Sequence, residues 1–307
     1  MPVIRASPRA VFVAVVSPHL AETIHRGQSS RGQLLSPSVD SSRGRTDHDG
    51  ASCDSTDYAG ADWAWEFLRR NRGYVADWRS SVPRDLPYLT LRDGTQLLRL
   101  RRRFPGAEQW GLYTCADPGL CAHQAPIFWH RTALKRIVRL SAKRPSDPDG
   151  AAAARVLADF KVRRTAVIGV DSVPLVLLKA RGLQVPLEIR GLPVLTAAFE
   201  PVYELHDLAD LSGQTELLRQ LQRFAEPNLR ANQKPPFGSD DRLRHALIAL
   251  DESLKGKTYR QIAIAIFGEK KVAEEWHGYS QFLKDRTRRL VAKGTELMNG
   301  GYRDLLG

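Results

Sequence analysis

Cysteine is nearly absent from this chain: three residues, Cys53, Cys115 and Cys121, occur in 307. That count is too small, and the spacing too irregular, for a secreted disulfide framework, so a reducing cytoplasm is the simpler compartment. No apolar run approaches the ~20 residues that span a bilayer. Residues 10–16, behind Arg5 and Arg9, resemble the start of a secretory signal, but Pro18 ends the run. Motifs for chemistry are missing as well. There is no phosphate-cradling glycine loop, no nucleophile elbow and no paired His–Glu metal motif, which argues against an enzyme and gives no reason to expect a cofactor. Cys115, Cys121, His123 and His130 lack the close ligand pair that structural zinc uses, so they read as two ordinary thiols and two surface histidines.

Acidic residues are the other shortage: 34 against 46 Lys and Arg, a formal charge of +12. Such a chain attracts polyanions at long range, and nucleic acid is the commonest of these inside a cell. The excess is uneven. Residues 57–145 hold 16 basic against 8 acidic side chains, whereas residues 239–307 hold 13 against 10.

Residues 17–56 are almost free of aromatics and rich in Ser, Gly, Arg and Asp, a composition that cannot bury enough surface to offset the entropy of ordering. Residues 1–56 are therefore expected to be a disordered leader. The folded protein is expected to begin at Asp57, because Trp63, Trp65, Phe67, Tyr74 and Trp78 follow at once on a helix-favouring background. Five of the six tryptophans fall between Trp63 and Trp129, which marks residues 57–143 as one aromatic-cored unit. A linker rich in Pro and Gly is expected at 143–150, then an Ala-rich helix start at Ala151. Runs at 165–170, 175–179, 185–190 and 194–199 read as strands of a small antiparallel meander. Leu208, Leu211, Leu217, Leu218, Leu221 and Phe224 recur at helical spacing and supply a cover for its apolar face. A second linker, 226–238, isolates the C-terminal segment. The expected fold is α+β: a mixed helix and strand domain at 57–143, a strand-rich middle domain at 151–225, and an all-α, helix-turn-helix-like domain at 239–307.

That last segment carries the functional reading. Ser239 or Asp240 caps a helix whose Leu243, Leu247, Leu250 and Leu254 form one apolar stripe, and Gly256 stops it. Thr258 starts a second helix with Gln261 as capping-box partner; Ile262, Ala263, Ile266 and Phe267 supply its buried face, and Gly268 suits the left-handed end. A brief helical stretch ending at Trp276 leads to a long helix at about 280–298. At 100° per residue, Leu283, Leu290, Gly294 and Leu297 share one side, while Gln281, Lys284, Arg288 and Ala292 share the other, flanked by Arg289 and Lys293. This is the layout of a recognition helix: apolar residues pack inward and long donors reach a groove. Gln281, Lys284 and Arg288 are assigned to base readout, and Lys270, Lys271, Arg289 and Lys293 to phosphates. Thr258, Arg260, Gln261 and Ser280 complete the candidate contact set. The connection from Gly268 to Ser280 is far longer than a three- or four-residue turn, which implies an expanded relative of the motif. A further basic run, Arg99, Arg101, Arg102 and Arg103, suggests a second phosphate-contacting surface.

The run Thr258-Tyr-Arg-Gln-Ile-Ala through Ile266-Phe-Gly268, then Val272-Ala with Trp276, the basic helix, and the ending Leu297-Met-Asn-Gly-Gly-Tyr-Arg-Asp-Leu-Leu306 resemble the DNA-binding domain of type VI secretion-associated transcription factors. That family also occurs in transcriptional activators of integrative and conjugative elements. Upstream, Ala61-Asp-Trp-Ala-Trp-Glu-Phe-Leu-Arg-Arg-Asn71 with Tyr74, Trp110-Gly-Leu, Ala116-Asp-Pro118 and Ile127-Phe-Trp129 resemble the proteobacterial transcriptional regulator-like domain that often precedes it. The resemblance implies a cytoplasmic, nucleoid-associated regulator of mobile or horizontally acquired genes. Its partners would be promoter DNA and, in addition, RNA polymerase or an antiactivator protein. The competing reading is a regulatory adaptor that binds proteins through its aromatic N-terminal domain and touches DNA only weakly.

Overall fold

The computed structural model describes residues 55, 58–81, 86–145, 154–180, 182–191, 195, 197–205, 209–225, 240–276 and 282–307. The expected leader apart from Ser55, most of both expected linkers, and the helix start at Ala151 lie outside them.

Helix α1 (Gly60–Leu68) has no solvated face. Trp63, Trp65, Phe67 and Leu68 are all buried, as befits a helix that is apolar all round. Its two acids are buried too, and each is answered. Asp62 accepts from the Ala59 amide at 3.0 Å, capping the helix, and pairs with Lys179 at 2.6 Å. Glu66 accepts from the Ala122 amide at 2.9 Å and from Arg69 and Arg70 at 2.6 and 2.8 Å. Those two guanidiniums outweigh burial and hold the Glu66 carboxyl below its usual range. An unpaired buried charge would cost on the order of several kcal/mol, so these partners are what permit α1 to be internal. Helix α2 (Arg72–Ser80) follows after Asn71, whose side-chain oxygen accepts from the Gly73 and Tyr74 amides at 2.8 and 3.2 Å.

A seven-stranded mixed sheet forms the centre, in the order β1-β2-β4-β5-β6-β3-β7. Its strands are β1 (Leu89–Thr90), β2 (Gln96–Arg99), β3 (Val138–Lys143), β4 (Arg163–Ile168), β5 (Pro174–Ala180), β6 (Leu183–Gly191) and β7 (Glu200–Glu204). The expected antiparallel meander is β4-β5-β6, with ends shifted by no more than two residues. It is widened on both sides by upstream strands: β2 joins β4 in parallel and β3 joins β6 in parallel. Because β3 occupies the edge of β6, the fourth strand pairs with β3 instead and begins only at Glu200, not at 194; Phe199 makes an isolated bridge to Arg155.

Side chains alternate across this sheet with period two. On β5, Leu175 and Leu177 enter the core around α1, while Val176 and Leu178 enter a second core closed by Leu217, Leu221 and Phe224 of α4 (Leu211–Ala225). The described residues are thus layered: α4, sheet, then the α1 layer. Lys179 stands on the α1 side of β5, so its ion pair with Asp62 ties that helix to the sheet.

The other α-helices among the described residues are α3 (Pro105–Glu108), α5 (Asp240–Leu254), α6 (Tyr259–Phe267), α7 (Glu269–Glu275) and α8 (Phe282–Met298), the last followed by a 3₁₀ helix, Gly301–Leu306. Leu243, Leu247 and Leu250 of α5 and Leu290 and Leu297 of α8 enter the same core as Trp63 and Trp65, together with Tyr302 and Leu306. Leu254, the last residue of the α5 stripe, is exposed. Ala263, Val272, Trp276 and Leu283 build a small core of their own. Helix α8 therefore spans two cores, its first turns in the small one and its later turns in the large one.

Candidate nucleic-acid interface

Helix α6 starts as its capping box requires. The Thr258 amide donates to Gln261 Oε1 at 2.9 Å, and the Gln261 amide donates to Thr258 Oγ1 at 3.4 Å. Both side chains are exposed but engaged in the cap; Arg260 between them is exposed. Gly268 has φ +85° and ψ 154°, a glycine-only conformation rather than the left-handed helical one expected, and this extended ψ launches α7 at the very next residue. The long connection after α6 is thus largely filled by α7, with exposed Lys270 and Lys271 in its first turn and Trp276 buried at its end.

Helix α8 divides as its projection predicts. Leu283, Gly294 and Leu297 are buried and Leu290 is half-buried, whereas Arg288, Arg289, Ala292 and Lys293 are exposed. Lys284 is half-buried at the boundary. Ser280 and Gln281 lie outside the described residues. A Cβ on Gly294 would stand 2.6 Å from the Ala246 carbonyl oxygen, so a glycine is what lets α8 cross α5 this closely.

Three cations of α8 rest on aromatic rings of the two preceding helices, a feature the helical projection misses. Lys284 Nζ lies 5.8 Å from the Trp276 ring centre, and the guanidinium carbons of Arg286 and Arg288 lie 4.8 and 5.9 Å from Phe267 and Tyr259. Such contacts contribute about 0.5–1 kcal/mol each at exposed sites and, more to the point, fix long side chains without neutralising them. The signal was present in the sequence as Tyr259, Phe267 and Trp276, read there as packing residues or not at all. The exposed face also carries two acids. Asp285 lies 3.6 Å from Arg288 and Glu296 2.8 Å from Lys293, exposed pairs that are weak and easily exchanged for a stronger anion. Behind this face, burial and the nearby Arg286 lower the pKa of His245, whose ring packs against Phe267.

The cysteines and histidines do not converge: among the described residues no group of three or more His, Cys, Asp or Glu is placed to hold a metal. Cys115 is a free thiol whose pKa burial pushes up to about 11. Cys121 is disulfide-bonded rather than the ordinary thiol expected. His130 is half-buried against Tyr113, and exposed His123 packs on Tyr58. Among the described residues no helix is long and apolar enough to cross a membrane.

Comparison with known families adds two matches. Residues 207–307 match the family described as "T6SS, Transcription factor, DNA binding domain", and residues 45–113 match the "Proteobacterial transcriptional regulator-like domain". No curated protein matches the chain. In this order, then, the chain is similar to a proteobacterial transcriptional regulator-like domain and to a type VI secretion transcription-factor DNA-binding domain, a pairing that supports a DNA-binding transcription regulator.

Proposed function

We propose that this regulator places α8 in the major groove of promoter DNA and activates mobile-element or horizontally acquired genes. The observation that carries the reading is the division of α8: a leucine and glycine side packed on α5, and an outward side with Arg288, Arg289 and Lys293 exposed. Arg288 and Lys284, held over Tyr259 and Trp276, read base edges together with Gln281. Arg260, Lys270, Lys271, Arg289 and Lys293 contact phosphates, which position the helix without reading sequence. Thr258, Gln261 and Ser280 complete the proposed contact set. Activation and the class of target gene rest on the resemblance to regulators of conjugative elements, and RNA polymerase or an antiactivator is the protein partner that role calls for.

The adaptor reading has less support. The tryptophans that an aromatic docking surface would use are inside: Trp63 and Trp65 are 1% and 0% exposed. Truncation at residue 239 would remove Leu250, Leu297 and Tyr302 from the shared core, so intact chains are the proper material. Duplexes enriched by selection from a random pool, followed by methylation interference at guanine N7, test the groove assignment. Interference at defined guanines is expected, and selection that enriches no sequence overturns the reading.

A further inference from the structure

Positive charge also gathers where β2 runs out. Arg99 lies opposite Ile168 of the parallel strand β4, and the Leu100 amide continues the pairing by donating to the Ile168 carbonyl at 2.9 Å. Leu100 is buried, so strand alternation turns both Arg99 and Arg101 outward, and Arg102 and Arg103 follow, exposed. Arg103 is committed to Glu108, its Nε donating at 3.0 Å. Arg99, Arg101 and Arg102 have no carboxylate partner among the described residues; the Arg102 guanidinium stands 5.1 Å from the Phe104 ring centre. Beside Arg99 and Arg101 runs a cleft of about 410 Å³, walled by the β4–β5 turn at Gly169, Val170 and Ser172, and no acid among the described residues lines it. An adjoining cleft of about 300 Å³, which Arg102 lines, also holds acids, but these are committed: Asp171 pairs with Arg131 at 3.0 Å and Glu108 with Arg103.

We infer that Arg99, Arg101 and Arg102 form a second contact with the sugar-phosphate backbone of duplex DNA, adding sequence-independent affinity to the contact made by α8. Arg99 and Arg101 line one cleft and Arg102 the adjoining one, and an array of phosphates supplies the counter-charge that none of the three has among the described residues. The shape of the cleft decides between ligands. Pockets for small ligands typically enclose about 70–90% of a drug-sized molecule's surface, whereas a trough beside a strand end suits a chain of phosphates. The inference rests on the chain being a DNA binder but not on α8 being its recognition helix.

The test is binding of a random-sequence duplex and of a pool-selected duplex across roughly 50–200 mM salt. In the full-length variant R99A/R101A/R102A both affinities should fall by the same factor. The slope of log affinity against log salt should shrink by about 2–3, one release event for each lost contact. Replacement of the same three residues by Lys should restore most of the slope. An unchanged slope overturns the inference. As a check that needs no variant, arginine-selective phenylglyoxal modification of the wild-type chain is mapped by peptide mass: duplex DNA should protect Arg99, Arg101 and Arg102. Protection by pyrophosphate but not by duplex overturns it in favour of a small-anion site. Normal behaviour of this triple variant alongside lost sequence preference in Arg288→Ala sinks this inference alone. The reverse result sinks the α8 assignment and leaves the arginine cluster standing.

Discussion

Gly294 of α8 lies against Ala246 of α5 so closely that the carbonyl oxygen of Ala246 occupies the space a β-carbon would need, 2.6 Å away. Backbone on one side and helix on the other leave no soft atom to yield. Gly294→Ala would gain about 1 kcal/mol in helix propensity, but the forced separation of two packed helices costs about 1–3 kcal/mol. The variant should be less stable by up to about 2 kcal/mol in urea unfolding and should bind DNA more weakly; a raised midpoint contradicts the close crossing.

The Asp62–Lys179 pair joins α1 to β5 inside the protein, at 2.6 Å with both side chains buried. Removing one partner strands the other charge, a loss of about 3–5 kcal/mol, whereas removing both spares that penalty. Lys179→Met should therefore destabilise strongly in denaturant titrations, and Asp62→Asn added to it should recover part of the loss. Additive losses would show that the two groups do not interact.

Tyr259 and Arg288 are coupled through a ring and a guanidinium 5.9 Å apart. A double-mutant cycle with Tyr259→Leu and Arg288→Ala, read in affinity for a selected duplex, should give an interaction of about 0.5–1 kcal/mol, a factor of about 2–5. A coupling of zero removes the orienting role of Tyr259.

His245 gives the C-terminal helices a pH dependence. Burial, then Arg286 and Arg244, lower its folded pKa, and Asp241 only partly opposes them. The unfolded chain, with a histidine pKa near 6.5, then binds the proton more readily than the folded one. Stability is full above about pH 6.5 and falls as pH drops from there toward the folded value. Thermal unfolding followed over that window should show a decline that His245→Gln flattens; equal slopes in both proteins would exclude His245 as the cause.

Local pattern was legible where the cause is local. Thr258 with Gln261 announces its own cap, the leucines of α5 and α8 announce their stripe, and β4, β5 and β6 follow from alternating apolar runs between turn residues. The sheet's true width was not legible, because pairing of β3 with β6 and of β2 with β4 joins segments far apart in the chain, and nothing in either strand names its partner. For the same reason Pro- and Gly-rich stretches suggested separate blocks, while Leu250, Leu297 and Tyr302 pack into the core that holds Trp63. The buried acids of α1 read as ordinary helix formers until Lys179, Arg69 and Arg70 are seen to answer them. At the interface, the projection of α8 separated packed from exposed residues but took no account of Asp285 and Glu296 on the exposed side, or of the rings beneath its cations.

The most direct trial of α8 as a reader of sequence compares Arg288→Ala with Lys293→Ala on a pool-selected duplex and on random DNA at one salt concentration. Arg288→Ala should lose about 1–3 kcal/mol of discrimination between the two duplexes, and Lys293→Ala should weaken both alike. Equal losses on both duplexes for both variants would contradict base readout by Arg288.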